Sequence, residues 1–303
     1  MKKDKKRLII IDANSVLHRA YHALPPLASK NGLLVNAVYG FLLVFFKVVK
    51  EFQPDFVAVA FDFPAPTFRH QQYKEYKAER PKAPEEFRQQ IPKTKEVLSS
   101  FGIPVFEKEG YEADDIIAAI SRDASKAGVE TIIASGDLDV LQLVNERVKV
   151  YVLRKGVKDT VLYDEAAVAE KFNNLEPKQL VDFKSLKGDP SDNIPGVAGI
   201  GEKTALDLIS SFGSLERLYE EMEESKKISP KLKEKLTKGK EEAFFSRELV
   251  RLDRDVPLDF KIEECNWKKY DRKKVVDLMK EMEFYSLIDR LPGLPIGENL
   301  RLW

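Results

Sequence analysis

The sequence predicts an α/β fold: a mostly parallel central sheet flanked by helices, followed by a helical C-terminal region. Three observations predict it. Continuous apolar runs of strand length stand at 8–11 (LIII), 56–61 (FVAVAF) and 131–134 (TIIA); helix-like segments alternate with them; and beyond about residue 175 Lys/Glu-rich helical patterns replace the strand signal. Short runs with so few polar positions suit strands buried on both faces, as in a parallel sheet covered by helices.

In chain order, the strand at 8–11 leads into Asp12, and residues 37–52 give a helix. The strand at 56–61 leads into Asp62, helical segments follow at 92–101 and 112–127, and the strand at 131–134 runs into SGDLD, which carries Asp137 and Asp139. Residues 64–90 break the alternation. They are polar, basic and aromatic, with prolines at 64, 66, 81 and 84, and read as an exposed excursion. Residues 1–175 are therefore assigned to the α/β part and 176–303 to the helical part.

A chain of 303 residues can bury a sizeable core. One cysteine, Cys265, makes a disulfide framework impossible and suits a reducing compartment. Three histidines and one cysteine nearly exclude a zinc site of the usual kind, while a hard cation held by oxygen remains open. The start MKKDKKR is basic, but LIII is too short for a signal-peptide core, and no run reaches membrane-spanning length. A cytoplasmic protein without a membrane partner is expected. The net charge of zero argues against a polyanion partner unless the acids are gathered in one place; with nine of them set aside, 50 basic residues face 41 acidic ones.

Nine such acids exist. In open parallel sheets the functional crevice lies beyond the carboxyl ends of the strands. Asp12, Asp62, Asp137 and Asp139 all follow strand runs. The segment YEADDIIA opens a helix with Glu112, Asp114 and Asp115 at the same edge, and the Gly/Pro-marked loop GDPSDN brings Asp189 and Asp192 within reach. At about 100° per residue, Glu112 and Asp115 lie about 60° apart, beside an apolar stripe of Ala113, Ile116, Ile117 and Ile120. Any one of these acids also reads as a helix cap, contributing about 0.3–1 kcal/mol. Taken together they call for divalent cations, because crowded carboxylates cannot all ionise unaided. Mg²⁺ or Mn²⁺ takes oxygen ligands, and two ions about 3.5–4 Å apart suit in-line phosphoryl displacement.

Two further signals point to phosphate. GVAGIGEKT, with Gly196, Gly199, Gly201 and Lys203, nearly spells a P-loop, but Glu202 intervenes and no strand precedes it. It reads as a helix-loop-helix turn whose backbone N–H groups meet a DNA phosphate, or as an ordinary capped turn. In the excursion, Phe68, Tyr73, Tyr76 and Phe87 interleave with Arg69, Lys74, Lys77, Arg80, Lys82 and Arg88, which suits single-stranded nucleic acid or else a solvated lid.

In combination, LIIIDANSVLHRAYHAL, FDFPAPTFRHQQYKEYKAER, GYEADD, SGDLDVLQL, GDPSDNIPGVAGIGEKTA and MEFYSLI resemble the 5′ nucleases: flap endonucleases and the 5′-to-3′ exonuclease domain of bacterial DNA polymerase I, the latter branch more closely. The resemblance implies a PIN-like nuclease core with a helical arch. It implies that Asp12, Asp62, Glu112, Asp114 and Asp115 surround a first metal ion and Asp137, Asp139, Asp189 and Asp192 a second. Lys77 and Arg80 become catalytic, together with Asp62 and Asp114. Arg19, Arg69 and Tyr76 become DNA contacts, as does the 196–204 loop in a helix-turn-helix variant that often holds a monovalent cation such as K⁺. The implied activity is two-metal-ion hydrolysis of DNA near the junction of a 5′ single-stranded arm and a duplex, by a monomer at the nucleoid with a DNA polymerase as partner. The resemblance fits a freestanding nuclease or part of a longer polymerase. A non-catalytic structure-specific DNA binder and a nucleotide-using phosphotransferase are the alternatives.

Overall fold

A computed structural model describes residues 6–156, 159–268 and 270–292. The basic start at 1–5 and the last stretch of the predicted helical region, 293–303, lie outside the described residues. Six strands form one sheet: β1 (Arg7–Asp12), β2 (Phe56–Ala60), β3 (Val105–Phe106), β4 (Glu130–Ser135), β5 (Val148–Lys155) and β6 (Asp159–Tyr163). Their spatial order is β3-β2-β1-β4-β5-β6, and every pairing is parallel except β5 with β6.

The most apolar run lies at the centre. Ile9 of β1 pairs with Val57 on one side and Ile132 on the other, so β1 is flanked by β2 and β4 and the strand order reverses there. Such a reversal opens a crevice at the carboxyl ends of the strands. Alternate β1 side chains enter opposite cores. Leu8 and Ile10 belong to the core that also holds Ile116, Ile117 and Ile120 of the helix Ala113–Lys126 and, further out, Leu208 and Phe212 of the helix Glu202–Phe212. Ile9 and Ile11 meet Phe41 and Phe45 of the helix Asn36–Phe52.

Most buried apolar residues described in the C-terminal region share cores with the sheet, while Val181, Ile194, Leu249 and Val250 form a small cluster with Tyr76. Helices between 180 and 250 join the first layer, whereas Trp267, Val275, Met279 and Phe284 cross to the second and pack with Phe45 and Phe101. The excursion is exposed over most of its length, as expected, and carries two short helices, Phe68–Gln72 and Glu85–Arg88, joined by turns; within it Arg69, Tyr76 and Phe87 are buried. The buried rings remove apolar surface from water, and the buried guanidinium of Arg69 is paired with Asp115, so these residues anchor the segment to the body. Among the described residues no helix is long and apolar enough to cross a membrane.

Candidate active site

Strand ends and helix starts deliver the acids to one edge. Asp12 closes β1 and caps the helix Ala13–Ala23, its Oδ1 accepting from the Ser15 N–H at 3.1 Å. Its Oδ2 accepts from Ser135 Oγ at 2.6 Å, which ties the ends of β1 and β4 together. Between them stands Gly136. A Cβ there would lie 2.6 Å from Arg19 Nε and 2.8 Å from Ser15 Oγ, so a larger residue would displace the Arg19 side chain from its present position. The Asp137 N–H donates to Ser135 Oγ at 2.9 Å, and the Asp139 N–H to Asp137 Oδ1 at 2.9 Å, folding both acids back toward Asp12. Asp62, just past β2, accepts from the Ala113 N–H at 2.8 Å and thereby pins the start of the acidic helix.

Three charge groupings result. Asp12, Asp62, Asp114 and Asp137 crowd one another. Burial pushes Asp12 up to about 7, opposed by its bonds from Ser135 and Ser15 and aided by the charges of Asp62 and Asp137. Burial, then the charges of Asp12 and Asp137, lifts Asp114 well above the usual carboxylate range. Asp62 sits at the solvent-exposed rim, yet desolvation by the surrounding protein and the charge of Glu112 raise it too.

In the second grouping Lys77 Nζ donates to Glu112 Oε1 at 2.8 Å and stands 3.9 Å from Asp192, which also pairs with Arg80. Burial pushes Glu112 up, but Lys77 and Arg69 beside it hold it below its ordinary value. In the third, Lys184 pairs with Asp139 and donates to Asp189 Oδ2 at 2.7 Å. Burial nevertheless leaves Asp139 at about 6, whereas Lys184 outweighs burial at Asp189 and lowers it.

Several expected site residues stand elsewhere. Asp115, expected at the first metal, is fully buried: its oxygens receive a bidentate Arg69 at 2.7 and 2.8 Å and the N–H groups of Glu112 and Asp253. Arg69, expected on DNA, is 1% exposed and donates also to the carbonyls of Leu249 and Arg251. A side chain so enclosed contacts protein and not solvent or a strand of DNA. Tyr76 is buried as well, its hydroxyl donating to Glu112 at 3.1 Å in place of a ring face offered to a base. Arg19 donates to the Gly136 carbonyl at 2.9 Å, beside the acids.

The glycine loop joins the helices Leu180–Lys187 and Glu202–Phe212, with no strand before it, so P-loop geometry is not built here. Gly196 is buried against Gly188, and its N–H is spent on Ser246 Oγ at 3.0 Å, which removes it from the phosphate donors. Gly199, Gly201 and Lys203 face solvent, and Lys235 Nζ donates to the Gly199 carbonyl at 2.9 Å.

Sequence reasoning missed Lys184, Ser135 and Gln142. Lys184 is one lysine among many, and its only signal is a place one helical turn ahead of the GDPSDN loop. Gln142 bonds the Asp139 and Val250 carbonyls and the Leu252 N–H. It couples the strand-end acids to a segment more than a hundred residues away, a contact that no local pattern announces.

A family model described as 5′–3′ exonuclease, N-terminal resolvase-like domain, matches residues 7–173, more than half of the chain. The chain belongs to the 5′–3′ exonuclease family. The family's C-terminal SAM fold matches residues 175–273. DNA polymerase I of Bacillus subtilis is 41% identical over 95% of this chain, and that of Mycobacterium bovis 40% over 95%. The chain spans about a third of the length of these relatives, 32% in each. Among solved structures, a 5′-exonuclease of phage T5 described with bound divalent metal ions (zinc) matches with a TM-score of 0.69 at 21% identity, covering 91% of this chain and all of that one. The catalytic core of Rad2 in complex with DNA substrate matches with a TM-score of 0.61 at 18% identity, covering 95% and 93% of the two chains. At these identities the two structures show that this member of the exonuclease family shares their fold.

Proposed function

We propose that the protein is a divalent-metal-dependent 5′ nuclease that hydrolyses DNA phosphodiester bonds where a 5′ single-stranded arm or flap meets a duplex, as a monomer working beside a DNA polymerase. The observation that carries this reading is the carboxyl edge of the sheet, where acids from five segments gather beside Lys77, Arg80 and Lys184.

The donor set fits a hard cation. It consists of carboxylate oxygens, with no histidine or cysteine among the acids, and the raised pKa values of Asp12, Asp62 and Asp114 mark charge that a divalent ion would relieve. Among the described residues no three acidic, His or Cys side chains are grouped closely enough to hold one ion. Lysine and arginine stand between several of the acids instead, so binding requires those cations to turn outward. Asp12, Asp62, Glu112 and Asp114 would hold a first ion, joined by Asp137, which was expected at the second but whose charge acts on Asp12 and Asp114, and Asp139, Asp189 and Asp192 would hold a second; Mg²⁺ and Mn²⁺ both suit. When bound, the ions neutralise charge growing on the phosphate and acidify the attacking water.

Lys77 and Arg80 then have a second use. Their side chains are 20% and 48% exposed at the crevice mouth, and turning from Glu112 and Asp192 to a phosphate keeps each cation paired while charge develops. Lys203 and the exposed Gly199–Gly201 backbone would grip duplex phosphates. A K⁺ ion at that loop would have to displace Lys235 from the Gly199 carbonyl.

Cleavage of an end-labelled flap duplex, with and without Mg²⁺, tests the reading. Asp114→Ala is expected to abolish cleavage while flap affinity in Ca²⁺ stays intact or improves, since a negative charge is lost. Undiminished cleavage by this variant, or none by the wild type in Mg²⁺ or Mn²⁺, would overturn it.

A further inference from the structure

The helix Ala13–Ala23, whose first turn Asp12 caps, carries His18 and His22 on its exposed side. Residues four apart on a helix are neighbours. Here the rings meet with centroids 4.5 Å apart, and the two Nε2 atoms stand 3.3 Å from each other. Two zinc–imidazole bonds of about 2.05 Å at a tetrahedral angle also set their nitrogens about 3.3 Å apart. The pair already has the bite of a chelate.

We propose that His18 and His22 bind one borderline divalent cation of the Zn²⁺, Ni²⁺ or Cu²⁺ class, completed by water and separate from the carboxylate crevice. Imidazole nitrogen suits these ions, whereas Mg²⁺ and Ca²⁺ prefer oxygen, so the two sites select different metals. The small number of histidines and cysteines argues against a closed zinc site of the usual His/Cys kind but leaves room for an open two-imidazole one. Other soft donors are occupied or enclosed: His70 Nδ1 meets Thr67 Oγ1 at 2.9 Å, and Cys265 is buried.

The competing use of the two nitrogens is a hydrogen bond to each other, in which one Nε2 carries a proton. Binding asks only that this ring move its proton to Nδ1, with no net proton lost. Partial burial and the nearby charges of His22, Arg80 and Arg19 hold His18 below its ordinary pKa, which keeps its lone pair available at neutral pH. The same arginines moderate the affinity. The place matters because His18 packs edge-on to Phe87 at 5.8 Å, and Phe87 against Tyr21 at 5.4 Å. Phe87 anchors the returning end of the excursion that carries Lys77 and Arg80, so an occupied site would fix the ring on which that end rests.

The test uses protein saturated with Mg²⁺, so that the carboxylates are already filled. Calorimetric titration with Ni²⁺ is expected to find one site in the wild type, weakened at least tenfold in both His18→Gln and His22→Gln. Independently of any variant, one equivalent of Cu²⁺ on the wild type should give an electron paramagnetic resonance spectrum with coupling to two nitrogens. Equal Ni²⁺ stoichiometry and affinity in all three proteins, or a Cu²⁺ spectrum without nitrogen coupling, would overturn the proposal.

Discussion

Replacing Asp12 with asparagine in the metal-free protein should stabilise the fold, and more so at high pH. Asp12 is 3% exposed, so its charge is little screened, and burial raises it from 3.8 to about 7. A folded-state pKa above the unfolded one means that the protonated form favours folding. That contribution is complete below about pH 3.8, is lost as pH rises toward 7, and changes no further above it. The shift corresponds to roughly 4 kcal/mol at pH 8, and to between 1 and 2 kcal/mol at pH 5. Asn can still accept from the Ser15 N–H and donate to Ser135 Oγ, so the local bonds survive the exchange. Because Asp12 titrates together with Asp62 and Asp137, about 2–4 kcal/mol of stabilisation is expected at pH 8 in EDTA. Urea unfolding of both proteins at pH 5 and pH 8 measures it. Adding Mg²⁺ to a hundred times its dissociation constant should stabilise the wild type by about 2.7 kcal/mol and the variant less. An Asp12→Asn protein less stable than the wild type at pH 8, by the same margin as at pH 5, would refute the reasoning.

Arg69→Ala should cost about 3–5 kcal/mol in urea unfolding, because it leaves the Asp115 charge buried and unpaired. Its salt dependence of DNA binding should not change, and a changed slope with a stability loss below about 1 kcal/mol would return Arg69 to the DNA surface. Lys77→Ala should slow single-turnover flap cleavage at saturating enzyme by about 10²–10³-fold while flap binding in Ca²⁺ falls much less. An unaltered rate would leave Lys77 as a structural partner of Glu112 alone. Lys203→Ala should weaken duplex binding and lower the salt slope by about one ion, and an unchanged slope would make Lys203 ordinary solvated surface.

Much of this organisation is written locally. The runs at 8–11, 56–61 and 131–134 became β1, β2 and β4, because a strand buried on both faces has no polar position to spare. The helix expected at 112–127 runs Ala113–Lys126, its apolar stripe facing the sheet. β5 escaped notice because Lys149 and Arg154 interrupt its apolar pattern, β3 because two residues carry no period, and β6 because an edge strand is half exposed. At the candidate site, the acids at the ends of β1, β2 and β4 follow from strand direction alone, which carries each to the same edge.

What sequence could not apportion is which acid keeps which partner. Asp114 and Asp115 are adjacent and chemically alike, yet helical geometry turns the second into the protein, where Arg69 closes both its oxygens, and leaves the first among the crowded acids. Gln142 and the burial of Arg69 and Tyr76 likewise depend on segments brought together from far along the chain. The sequence by itself determined the sheet, its direction and the edge where charge collects, because these rest on periodicity and strand polarity. Only the tertiary structure decided which charges are neutralised by the protein and which are left raised, because desolvation and pairing depend on distances between residues that no local pattern encodes.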